Sequence, residues 1–167
     1  MNHENSGRAL NEYFVAKDIR VRAFWTEFCR KTGVDAETPY QAWHFGDSPE
    51  LAHELVELVL QGSKRATTGL SWAFERRPEL APVLHGYNLL SEFDGAPRCV
   101  VRTVSIEVRA FKDVDAQYAW DEGEGDRTLD TWRADHWAYF TRECATLGCE
   151  PTDDMPVVLE RFELLFP

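Results

Sequence analysis

The feature that most constrains this 167-residue chain is a pair of β-forming runs joined by a tight turn. Residues 88–93 read as one strand, Asp94-Gly95 supplies hairpin turn residues, and residues 98–111 partly alternate apolar and polar side chains. The second run predicts a long, bent, half-buried strand. Residues 63–70 are small, polar and β-compatible, and residues 157–166 alternate enough for a final strand. No helix-length segment separates the central two runs. Strands joined by short turns pair antiparallel or build a mixed sheet, with helices packed outside it, so the expected class is α+β.

Three helices are legible. Between Glu12 and Arg30 the set Phe14, Val15, Ile19, Phe24, Trp25, Phe28 and Cys29 follows a helical period, and Gly33 is a stop. Ser48 can cap a second helix with Pro49 in its first turn. Leu51, Leu55, Val56, Leu58 and Val59 form its inward stripe, and Gly62 ends it. Asp126 or Thr128 can cap a third, which carries Leu129, Trp132, His136, Trp137 and Phe140 on one side and stops at Gly148. The stretch from Trp43 to Ser48 reads as a turn. Residues 1–10 read as a flexible polar tail ahead of one domain over 11–167, with the first helix, over 12–33, an addition at its front.

Charge and composition narrow the partners. The net charge is −11, which opposes bulk attraction to nucleic acid or an anionic membrane, and no DNA is expected. The balance is uneven. Residues 62–112 carry 8 basic and 5 acidic groups, whereas residues 113–167 carry 4 basic and 14 acidic ones. The middle third could therefore meet an anion, or its charges could simply form a solvated surface. No apolar run approaches a membrane span, and residues 1–7 are polar rather than signal-like, so a cytoplasmic protein is expected. Cys29, Cys99, Cys144 and Cys149 fit no zinc spacing and read as buried thiols. Neither metal nor cofactor is implied.

Two stretches could carry chemistry. Lys64 directly follows the helix stop at Gly62. A strand beginning at Arg65 puts Lys64, Ala66 and Thr68 on one face and Arg65, Thr67 and Gly69 on the other. A turn at the helix exit would instead bring Lys64 to Thr67. A cation beside a hydroxyl suits an anion or a carbonyl, although a solvated lysine with strand-forming threonines fits the same spacing. Asp121, Glu122, Glu124 and Asp126 lie among two glycines. Crowded carboxylates raise one another's pKa, which would suit a general base, and helix N-terminal charge is the plainer account of Asp126. His136 reads as a packed histidine.

Together these pieces resemble the ASCH domain family, within the PUA-like superfamily. The resemblance rests on Trp43-His44-Phe45-Gly46-Asp47 and Gly62-Ser63-Lys64-Arg65-Ala66-Thr67-Thr68-Gly69-Leu70. It continues in Glu122-Gly123-Glu124-Gly125-Asp126, Trp132-Arg133 and Met155-Pro156-Val157-Val158-Leu159-Glu160-Arg161-Phe162, and spans about residues 40–166. It implies a PUA-like small mixed β-barrel flanked by helices, with a cleft that handles RNA or a modified nucleoside. One bacterial branch of the family hydrolyses N4-acetylcytidine with a lysine, a threonine three residues later and a glutamate in a downstream loop. Lys64 and Thr67 match that spacing, and Glu122 is the best-placed glutamate.

Other members resemble ribonucleases that use the lysine with a tyrosine shortly before it, and residues 55–62 hold no tyrosine. The family's Gly-Asp turn before the first long strand appears here as Gly86-Tyr87, without the acid. On the resemblance, Lys64 faces an oxyanion, Glu122 moves protons, and Thr67 attacks or positions water. Trp43, Trp72 or Tyr87 would stack on a base or pack in the core, and Arg65 and Thr68 would flank the substrate. Two other outcomes stand beside this one. A non-catalytic RNA-binding module would use Lys64, Arg65, Arg76, Arg77, Arg98 and Arg102 as a basic face, and a ribonuclease would cleave single-stranded RNA. The net charge disfavours a long polyanion over a neutral nucleoside.

Overall fold

The computed structural model describes residues 18–167. Helix α1 runs over Ile19–Thr32. The Asp18 side chain accepts from the Arg20 N–H at its start, and Gly33, left-handed at φ 79°, closes it by donating to Cys29 O. The expected residues 1–10 tail and the 12–17 part of the first helix, with Phe14 and Val15, lie outside the described residues. Val21, Trp25 and Phe28 of α1 pack on Ala42, Leu89, Val100 and Phe166.

Strand β1 is Tyr40–Trp43. Helix α2, Pro49–Leu60, starts as its sequence predicts: Ser48 Oγ accepts from Leu51 N–H at 3.2 Å, and Pro49 sits where no N–H is needed. Its Leu55, Val56 and Val59 bury against Trp43, Leu90, Val101 and Phe162. Each such side chain contributes about 1.5–3 kcal/mol of apolar burial.

Strand β2, Ala66–Leu70, follows, then a short helix α3, Ser71–Arg76. The expected hairpin is present as β3, Tyr87–Ser91, and β4, Pro97–Ala110. Its turn is a little wider than two residues: Glu92 N–H donates to Ala96 O, and Gly95 takes φ 85°. Helix α4, Ala116–Glu122, and helix α5, Leu129–Leu147, precede the last strand, β5, Pro156–Phe166. Thr128, not Asp126, caps α5, and a left-handed Gly148 ends it.

The five strands form one mixed sheet in the order β1-β3-β4-β5-β2. Among the described residues only β1 and β3 run parallel, with Tyr40 opposite Tyr87 and Trp43 opposite Leu90. Register shifts in β4 at Val100/Val101 and at Thr103/Ser105 let this 14-residue strand bend while it serves β3 with one half and β5 with the other. The α+β class with helices outside a mixed sheet is as expected. A third apolar cluster, beyond those under α1 and α2, joins β2, α4, α5 and β5 around Leu70, Phe111, Tyr118, Phe140 and Leu159.

Cys29, Cys99 and Cys144 are buried free thiols and Cys149 is half-buried. Among the described residues no helix is long and apolar enough to cross a membrane, and no cluster of His, Cys, Asp and Glu suits a metal.

Candidate active site

The exit of α2 and the end of α4 meet. Arg65 N–H donates to Asp121 O at 2.9 Å. At the next turn of chain Gly123 takes φ 77°, and a Cβ there would lie 2.2 Å from Ser63 O. Only glycine permits this approach, and it sets Glu122 beside Lys64.

Both side chains are essentially closed to solvent, Lys64 and Glu122 each at 1% exposure. Lys64 Nζ stands 3.7 Å from Glu122 Oε1, is hydrogen-bonded to Glu124 Oε1, and lies 5.1 Å over the Phe45 ring. Glu122 collects further donors. Thr68 Oγ1 donates to Oε2 at 2.8 Å and Trp132 Nε1 at 2.5 Å, while His136 Nε2 lies 3.3 Å from Oε1. His136 Nδ1 is 2.9 Å from Trp132 O, and the two rings stack at 4.2 Å. With one nitrogen facing a carbonyl and the other a carboxylate, this arrangement favours the imidazolium form of His136.

The charges are consistent with that. Burial alone would lower the His136 pKa, but the Glu122 carboxylate beside it leaves it raised. Burial alone would raise Glu122, but His136 and Lys64 outweigh it and hold Glu122 far below the usual carboxylate range. This reverses the direction expected from crowded acids, because the residues around Glu122 in space are mainly cations and donors rather than its acidic neighbours in sequence. The floor of the site therefore balances Lys64 and His136 against Glu122 and Glu124.

This floor opens into a cleft of about 620 Å³, a size usual for a small-molecule site. Trp43, Phe45, Thr67, Thr68, Glu122, Glu124 and His136 line it, as do Arg76, Arg77, Arg142 and Glu143. Lys64, Thr68 and Glu122 converge on the face that strand alternation predicted for Lys64 and Thr68.

Thr67 lines the cleft on the alternate face of β2, opposite Glu160 in the ladder. Its carbonyl accepts from the Tyr118 hydroxyl at 2.7 Å. Glu160, itself buried, accepts from Thr103, which is joined through Asn88 to the Trp43 indole. That indole bond and its 2% exposure make Trp43 a structural residue of the cleft wall.

The other expected contacts lie elsewhere. Arg65 is 58% exposed and points to Asp121, Trp72 packs on the core beside β2, and Tyr87 packs on Trp25 and Phe28 under α1. None of the three lines the cleft. Nor do the six basic residues form one face: Lys64 is buried, Arg98 is engaged by Glu57 and Glu92, and Arg102 by Glu163. Sequence reading missed Trp132, His136 and Glu143 as site residues, although all three share the helical stripe of α5 with spacings of four and seven.

The ASCH domain family model matches residues 41–165, which span the mixed sheet and the cleft. The chain belongs to the ASCH domain family, whose members are linked to RNA-related function. An ASCH domain of Lactobacillus crispatus is 29% identical, with a TM-score of 0.84 over 93% of this chain and 99% of that one. Protein EF3133 of Enterococcus faecalis is 30% identical, with a TM-score of 0.80 over 88% of each chain. No curated protein matches.

Proposed function

We propose that this protein hydrolyses the amide of an N4-acylated cytidine-type nucleoside. The observation that carries the reading is the Glu122 carboxylate in the wall of a cleft of nucleoside size, held by Thr68 and backed by the buried Lys64 ammonium at 3.7 Å, with Thr67 also lining the cleft. A water held by Thr67 attacks the acyl carbon. As the C–O bond forms, the carbonyl π electrons move onto oxygen, where the buried Lys64 ammonium stabilises them. Glu122 takes the proton of the attacking water. Because its pKa is low it is a weak base, and it passes that proton on to the departing nitrogen as the C–N bond breaks. The products are a carboxylic acid, which ionises by releasing the second proton of the water to solvent, and the nucleoside with its free exocyclic amine. His136 and Trp132 keep Glu122 charged and oriented throughout.

The test is incubation of the purified protein with N4-acetylcytidine, following acetate and cytidine. Turnover is expected from the natural sequence and loss of it in Lys64→Ala and Glu122→Gln, each assayed at a temperature where circular dichroism shows the variant folded. An intact nucleoside at high protein concentration overturns the hydrolase reading. A second reading, a non-catalytic RNA-binding module, draws on Arg76, Arg77 and Arg142 along the cleft wall. It requires salt-sensitive RNA binding that Glu122→Gln leaves untouched.

A further inference from the structure

Helix α5 forms one wall of the cleft, and two of its wall residues, His136 and Glu143, stand seven positions apart. Seven residues are two turns, so both side chains leave the same helix face, ~10 Å apart along the axis. The two ends differ in kind. At the His136 end every polar group is met: His136, Thr68, Trp132 and Lys64 surround Glu122.

At the other end Glu143 Oε2 is closed to solvent and meets no hydrogen-bond partner among the described residues. The neighbouring cation does not compensate it, since the Arg142 guanidinium pairs with Asp47 at 2.9 Å. Burial alone pushes the Glu143 carboxyl up to about 7. A polar group left unmet in a cleft wall is costly to the fold, and such groups gather where a ligand completes them.

We infer that Glu143 is the sugar subsite of the cleft, its carboxyl pairing with a ribose 2′-hydroxyl while the acylated base lies at the Lys64–Glu122 end. The inference rests on the nucleoside reading above and adds to it the preference for a ribonucleoside over a deoxynucleoside. A carboxyl accepts a hydrogen bond in its ionised form and can both donate and accept in its neutral form, and a hydroxyl complements either. An acidic side chain that takes a ribose 2′-hydroxyl is an established solution to sugar recognition elsewhere. The span between the two ends of the wall also suits a pyrimidine nucleoside, whose exocyclic amine and sugar diol lie at opposite ends of the molecule.

The experiment measures binding, so that it does not depend on hydrolysis. Cytidine and 2′-deoxycytidine are titrated by calorimetry into the natural protein, Glu143→Gln and Glu143→Ala, each checked for folding by thermal unfolding. Acetate release from N4-acetylcytidine is followed in parallel. The natural protein is expected to bind cytidine about tenfold more tightly than the deoxy compound, the loss of one hydrogen bond to a charged group. Both variants are expected to weaken cytidine by a similar factor and bring the ratio of the two ligands close to one.

Equal affinities in the natural protein, no detectable binding of cytidine, or a ratio unchanged in both variants overturns the inference, whatever the hydrolysis result. A ratio that collapses in the variants without any acetate release leaves the subsite standing and removes the hydrolase reading.

Discussion

Glu143→Gln is expected to stabilise this protein at alkaline pH and to leave it nearly unchanged in acid. Burial raises the carboxyl from an ordinary 4.5 to about 7 in the folded protein. The folded state therefore keeps a proton that the unfolded chain has released, and stability falls as pH rises from 4.5 through 7. Each unit is worth about 1.4 kcal/mol, so the shift amounts to roughly 3 kcal/mol at pH 9. The side chain is partly exposed to the cleft, and solvent screening there leaves about 1–2 kcal/mol.

Glutamine has the same shape and carries no charge to desolvate. For a domain of this length that converts to a melting temperature ~3–6 °C higher than that of the natural protein at pH 9. The assay is differential scanning calorimetry of both proteins at pH 5 and pH 9. Pairing the two proteins at each pH cancels the titration of every other group. A gap of the same size at both pH values, or a variant less stable at pH 9, would show that Glu143 has a partner in the fold and is no idle carboxylate.

Other outcomes follow from the same geometry. Gly123→Ala places a Cβ against Ser63 O and a left-handed φ on alanine, so a loss of about 2 kcal/mol or more is expected in urea unfolding, together with loss of any turnover. Lys64→Ala removes a buried cation from Glu122 and Glu124, leaving Glu122 only His136, Thr68 and Trp132, and should cost about 3 kcal/mol, whereas Arg65→Ala, at an exposed pair, should cost under about 1 kcal/mol. His136→Phe removes a histidine whose pKa is raised. Its contribution is complete below about 6.5, the unfolded value, and fades as pH climbs through the folded one. The stability gap to the natural protein should narrow from pH 6 to pH 9 in chemical denaturation, and a gap that widens would refute the ion pair with Glu122.

Much of the fold was legible because its signals are local. Ser48-Pro49 and a clean apolar stripe specify α2, and Asp94-Gly95 between alternating runs specifies the β3–β4 hairpin. What escaped was either short or non-local. Strand β1 has four residues, and its ladder partner among the described residues is a parallel strand more than forty positions on. Helix α4 has seven residues, and its last turn reads in sequence as the start of an acidic loop.

The site divides in the same way. Alternation from Arg65 onward was one of two readings that paired Lys64 with a threonine, and although β2 begins only at Ala66, Lys64 and Thr68 both reach Glu122. The sign of the Glu122 pKa shift was not legible, because it depends on His136 and Trp132 from a helix that begins after the loop. For Trp72 and Tyr87 the sequence left stacking on a base and core packing both open, because a large ring in a sequence announces burial but not which cavity, if any, it borders.

The position of β5 bears on how the molecule comes into being. The strand formed from residues 156–166 lies inside the sheet, between β4 and β2. During synthesis β2 has no ladder to join until that stretch leaves the ribosome, although Lys64 has been in the chain for some ninety residues. The lysine and its carboxylates can thus find their buried places only as the sheet closes, and a chain stalled before residue 156 would hold the charged groups of the site without the wall that gathers them.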